Sequence, residues 1–201
     1  MQPFPPLEDF DAMAVYADML SVRGDPRGEL THLQLALENR PGDPRLVRAI
    51  EQHVARHDRQ LLGSLRTSTA LCTFRWQRGF IVEAQLKSSA GRREWSRGGW
   101  VETTPKSKLP RVVRELLRLE SAAPMSMLSI TLPRSWSARE LLLQCVDEVA
   151  RATHRLDVLG VYFELNERLY PELGDTIEER CGSLHVSADA SIAGSVFERF
   201  G

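Results

Sequence analysis

Chemistry on a protein surface needs particular side chains at particular spacings, and one stretch of this chain concentrates them. Gly91-Arg92-Arg93-Glu94-Trp95-Ser96-Arg97-Gly98-Gly99-Trp100 interleaves two tryptophans with arginines on a glycine-rich backbone. Between Gly91 and Arg111 stand six basic and two acidic residues. Tryptophan and arginine are the side chains enriched at binding hot spots. The same pair stacks on bases and neutralises phosphates. Read as a loop from Gly91 to Lys108, the segment is long for a strand-to-helix connection. Arg93, Trp95, Arg97 and Trp100 are its candidate partner-binding anchors, with a structural flap as the competing reading.

Other constellations are weaker. His53 and His57 stand at i and i+4, a spacing used in helical zinc sites. Val54 occupies the place of the general-base glutamate of a metalloprotease, and solvated histidines are the plainer expectation. No GxSxG, P-loop or GxGxxG occurs. Cys72, Cys145 and Cys181 are scattered and form no metal-ligand spacing. Neither a catalytic residue nor a cofactor or metal is expected.

Composition narrows the class. The 201 residues are 42% hydrophobic and 26% charged, with a net charge of −1. Such a chain buries a real core and carries no global field toward nucleic acid or anionic lipid. An odd cysteine count without a framework suits a reducing compartment. No apolar run approaches the roughly 18 residues of a membrane span. The N-terminus lacks the basic and apolar regions of a signal peptide. A cytoplasmic protein is expected.

These residues must be positioned by something. After a proline-rich arm over 1–8, Phe10, Met13, Ala14, Ala17 and Leu20 recur at helical spacing. Arg23-Gly24-Asp25-Pro26-Arg27-Gly28 is a stop, cap and start signal, with Gly24 closing one helix, Asp25 capping the next and Pro26 at its first position. Asp43 before Pro44 repeats the cap, and a third helix is expected over 45–65. Residues 9–66 thus read as a three-helix cap. Residues 66–80 hold Leu71, Phe74, Trp76 and Phe80 with one glycine, the wrong composition for a flexible linker.

Beyond the cap the periodicity changes. Residues 79–86 alternate with period two, placing Phe80, Val82, Ala84 and Leu86 on one face. Helices are expected over 109–119, 138–152 (capped by Ser137, with Glu140 completing a capping box) and 169–180. Strands are expected over 127–132, 156–165 and 183–187. Alternating strands and helices predict a parallel α/β layer over residues 72–190, its strands centred near Val82, Ile130, Val161 and Val186, packed as one unit with the cap. The steps between the later strands, about 31 and 24 residues, approach the period of a leucine-rich-repeat solenoid without its asparagine ladder. A small open sheet is the competing architecture.

The run from Val15 to Leu30, closing with Leu33-Gln34-Leu35-Ala36-Leu37, resembles the bacterial repeat-companion domain, whose members carry a segment of the form YADWLEERGDPRGEFIRLQ. Met19 replaces the usual tryptophan, and Leu30 the common phenylalanine. Trp76-Gln77-Arg78-Gly79-Phe80-Ile81-Val82 is similar to the family's next landmark, a strand opened by Arg-Gly-Phe. The family is best represented in myxobacteria and planctomycetes, and its members often continue into leucine-rich-repeat-like segments. It has no agreed biochemical activity. Physically, Tyr16 and Leu20 can pack together, Asp18 can pair with Arg23 or Arg27, and Asp18, Asp25, Arg27 and Glu29 are an alternative polar recognition face.

Three functions follow as expectations. The first is a non-enzymatic protein–protein interaction module, an adaptor or neutralising partner in a bacterial cytoplasmic system. The second is a nucleic-acid-binding accessory protein using the 91–108 segment. The third is an unrecognised hydrolase.

Overall fold

The computed structural model describes residues 4–88, 92–96, 99–103, 108–132, 138–152, 156–163 and 185–187. Helix α1 spans Phe10–Val22, α2 Pro26–Asn39 and α3 Pro44–Arg56. Each starts on an aspartate cap: Asp9, Asp25 and Asp43 accept from the backbone N–H of Ala12, Arg27 and Arg45 at 2.9 Å. Pro26 and Pro44 open their helices, where a missing N–H costs nothing. Gly24 takes a φ of +71° to close the first.

The expected helix over 45–65 is three pieces. The helical ladder stops at His57, which caps α3, and a short α4 (Asp58–Leu62) is followed by a 3-10 segment over Gly63–Leu71. The apolar spacing of Leu61, Leu62 and Leu65 survives this change of winding, which is why periodicity alone does not reveal it. All three join the main core.

A five-stranded sheet follows, in the order β1 (Cys72–Gln77), β2 (Phe80–Lys87), β5 (Met127–Leu132), β6 (Val158–Phe163), β7 (His185–Ser187). The β2–β5, β5–β6 and β6–β7 pairs are parallel. The sheet is nevertheless mixed, because β1 pairs antiparallel with β2. Of the residues joining cap to sheet, Cys72–Gln77 are thus themselves a strand. The two-residue turn Arg78-Gly79 has φ of +48° and +82°, the positive angles of a primed hairpin turn whose twist matches its strands.

Strand β2 also departs from simple alternation. Its register on β1 steps from Glu83 opposite Arg75 to Ile81 opposite Trp76, leaving Val82 as an extra residue. Such a bulge switches which face a strand presents. Ile81, Ala84 and Leu86 accordingly join the main core, whereas Phe80 packs with Met13 and Leu20 of α1. Phe80 and Leu86 therefore serve different clusters.

Helices α5 (Leu109–Leu116) and α6 (Ala138–Arg151) supply Val112, Val113, Leu116, Leu142, Cys145 and Val149 to the cluster that holds Leu128, Ile130, Leu159 and Val161. Leu30, Leu61, Leu62 and Leu65 of the cap belong to the same cluster. Arg114 of α5 donates twice to Glu148 of α6, at 2.7 and 2.6 Å. No helix among the described residues is long and apolar enough to cross a membrane. Ser137, the expected helix over 169–180 and Cys181 lie outside the described residues.

Candidate functional site

The segment read as a loop from Gly91 to Lys108 contains a hairpin. Strands β3 (Arg92–Ser96) and β4 (Gly99–Thr103) pair antiparallel as a separate two-stranded sheet. Arg93 and Trp95 lie on β3 and Trp100 on β4, while Arg97 lies outside the described residues. The register sets Trp95 opposite Trp100 and Arg93 opposite Glu102. Glycines and charges at 97–99 read as loop composition, and a strand of five residues has too few alternations to announce itself.

The Arg23–Gly28 motif builds a second candidate. Gly28 lets α2 cross α1 closely: a Cβ there would stand 2.4 Å from Ser21 Oγ and 2.6 Å from the Ala17 carbonyl oxygen. Arg27 Nε lies 3.0 Å from both Asp25 carboxylate oxygens, and its Nη2 donates to Glu120 at 2.8 Å. Burial disfavours the Arg27 charge, but the Asp25 hydrogen bond and the two carboxylates override it and raise its pKa. Burial likewise opposes the Asp25 charge, and the hydrogen bonds and charge of Arg27 hold its carboxyl below the usual range. Asp18 pairs with neither Arg23 nor Arg27; it lies 3.0 Å from His32 Nε2, one turn further along the facing helix.

The α1–α2 turn forms one wall of a cleft of about 480 Å³. Gln60 and Leu61 of α4 and the segment Arg118–Ser121 form the rest. Ser121 Oγ donates to the Leu61 carbonyl at 2.6 Å, which fixes those two walls together. Nothing local in the sequence links Arg118 and Glu120 to Arg23 and Arg27. Only the packing of the core beneath brings them to one opening.

Of the two histidines expected to be solvated, His53 is committed to the fold, whereas His57 is part-exposed. His53 is buried; its Nε2 lies 2.8 Å from the Pro26 carbonyl oxygen and its Nδ1 3.5 Å from Glu29. The His57 ring stacks at 4.6 Å, with Nδ1 bonded to Gln60 at 3.0 Å. Among the described residues no group of three or more His, Cys, Asp or Glu could hold a metal ion. Burial pushes the Cys145 thiol up to about 12, with the Glu148 charge adding to it, and the Cys72 thiol up to about 11. Both are therefore protonated near neutrality and poor nucleophiles.

The turn Arg78-Gly79 binds the cap to the sheet. Arg78 grips Glu38 through Nε (3.1 Å) and Nη2 (2.8 Å) and donates through Nη1 to the Leu7 carbonyl. Thr31 Oγ1 lies 2.8 Å from the Arg78 carbonyl oxygen, and Gln34 Oε1 accepts from Gly79 N–H at 2.7 Å. The Arg78-Gly79 turn is thus an anchor inside the fold.

No family model, curated protein or solved structure matches the chain.

Proposed function

We propose that the chain is a non-enzymatic protein-interaction module, an adaptor or neutralising partner in the bacterial cytoplasm, and that it engages its partner through the β3–β4 hairpin. The observation that carries this reading is the hairpin's isolation. Among the described residues it pairs with no strand of the main sheet. A lone two-stranded ribbon is marginal in water, and its edges carry backbone groups open to a further strand. Arg93, Trp95 and Trp100 stand on that ribbon, and Arg97 falls between the two strands in the sequence. A partner's extended segment added to one edge, with tryptophan anchors beside it, is a recurring mode of recognition.

The strand order supports a leucine-rich-repeat-like layer. From β2 to β7 the parallel strands follow chain order, as a solenoid requires. The resemblance of residues 15–37 to the repeat-companion domain favours the same architecture. Six basic residues against two between Gly91 and Arg111 keep a nucleic-acid accessory role as the second reading.

Affinity capture from native lysate, with the wild type and with the double variant Trp95→Ala, Trp100→Ala, tests both. A stoichiometric protein partner lost in the variant, at nearly unchanged melting temperature, is the expected result. A large drop in melting temperature would make the hairpin a structural flap. Capture that needs added DNA or RNA and falls steeply with salt would favour the second reading.

A further inference from the structure

The cleft beside the Arg23–Gly28 turn has the composition of an anion receptor. Three guanidinium groups, of Arg23, Arg27 and Arg118, line it against two carboxylates, of Asp25 and Glu120. Their roles differ. Arg27 is neutralised on both sides and its side chain is only 13% exposed, so it is a wall. Arg23 and Arg118 are exposed and make no ion pair among the described residues. Arg118 feels the Glu148 carboxylate only at longer range.

The N-terminus of α2 adds little to this. Pro26 has no N–H, the N–H of Arg27 is taken by the Asp25 side chain, and that of Gly28 by the Asp25 carbonyl. The N–H groups of Gly24 and Asp25 are spent on Ser21 and Leu20. Recognition falls to side chains. Gln60 stands at the rim with its carbonyl oxygen bonded to His57, leaving its amide NH₂ for a ligand. The cleft's volume lies in the range of small-molecule sites, roughly 300–1,000 Å³. The chain as a whole is slightly acidic, so this charge is local.

The geometry points to a small-molecule oxyanion site between Arg23 and Arg118, fitted to a ligand carrying at least two phosphate or carboxylate groups. Guanidinium forks pair with such groups through two parallel hydrogen bonds, and two forks facing one opening select a ligand with a charge for each. Arg27, held by Asp25 and Glu120, ties the α1–α2 turn to the 118–121 segment beside that opening.

Titration calorimetry at low ionic strength, with inorganic pyrophosphate in one arm and succinate in the other, tests this. Saturable one-to-one binding of at least one is expected, and the stronger arm identifies the group. The double variant Arg23→Ala, Arg118→Ala should weaken that binding roughly tenfold or more. Arg118→Lys keeps the charge without the fork and should fall between the two; it replaces the double variant if that fails to fold. Arg111→Ala, away from the cleft, should bind as the wild type does. Failure of both ligands to saturate, or equal affinity in the Arg23/Arg118 variants, overturns the site. Neither result bears on the hairpin.

Discussion

Arg27 and Glu120, 93 residues apart in the chain, meet at 2.8 Å across the cleft. The partners of this contact are unequal. The Arg27 side chain is 13% exposed and also grips Asp25, whereas Glu120 is 82% exposed.

Removing the two groups should therefore cost different amounts. Glu120→Ala should change stability by no more than about 0.5 kcal/mol, as for an exposed ion pair. Arg27→Ala takes the guanidinium from a capping carboxylate that keeps only its backbone N–H partner, strips a part-buried stem, and should cost about 1–3 kcal/mol. Urea unfolding of the two variants gives the comparison. Equal effects would mean that the Asp25 contact adds nothing.

Close approach at two glycines should be as costly as a core defect. Gly28→Ala drives a methyl into Ser21 and the α1 backbone. Gly79→Ala meets Thr31 Oγ1 at 2.3 Å and must also hold a φ of +82°. Each should lose about 1–3 kcal/mol, with Gly79→Ala the worse because strain adds to overlap. Gly42→Ala, at a φ of +78° but with open space around it, should lose only the conformational part, about 1 kcal/mol. Melting temperatures of the three variants rank them.

Arg78 holds a left-handed backbone that glycine would take more comfortably. Were the side chain idle, Arg78→Gly would stabilise the turn by about 1 kcal/mol. Because the guanidinium holds Glu38 and Leu7, the variant should instead be less stable by about 1–2 kcal/mol. A rise in its melting temperature would show the anchors to be without effect.

Acid should loosen the α5–α6 contact. The hydrogen bonds from Arg114 hold the Glu148 carboxyl below its ordinary value of 4.5, and Arg111 does the same for Glu115. A carboxyl with a depressed folded-state pKa stabilises the fold above its unfolded value and loses that contribution as pH falls through the folded one. Thermal stability should stay level with respect to these groups from pH 7 to about 5 and decline below about 4.5. Glu148→Gln should start lower at pH 7 and decline less over that window. Parallel curves for variant and wild type would remove Glu148 from the acid response.

Local signals were legible where a residue acts on its neighbours. Asp25, Pro26, Asp43 and Gly24 announce helix ends because a cap needs only the next turn; Met127–Leu132 alternates, and Val158–Phe163 is a short apolar run rich in β-branched and aromatic residues, so both read as strands. The Arg-Trp segment was visible as an unusual composition, but its hairpin was not, since five-residue strands among glycines resemble a loop. The bulge at Val82 shifted Phe80 away from the face that strict alternation assigns it. The break at His57 left the apolar spacing intact and so left no trace. The cleft was the least legible: Arg118 and Glu120 reach Arg23 and Arg27 only through a core assembled from distant parts of the chain.

The main sheet lays its strands side by side in the order in which the chain presents them, from β1 through β2, β5 and β6 to β7. No strand among the described residues has to thread between two that are already paired. On the ribosome, each new strand would meet the exposed edge of its predecessor as it emerges, so the sheet can grow outward from the hairpin turn at Arg78-Gly79 while synthesis continues. The cap precedes that sheet in the chain and shares its leucines with the same core, so it would offer the first strands an apolar surface to settle on.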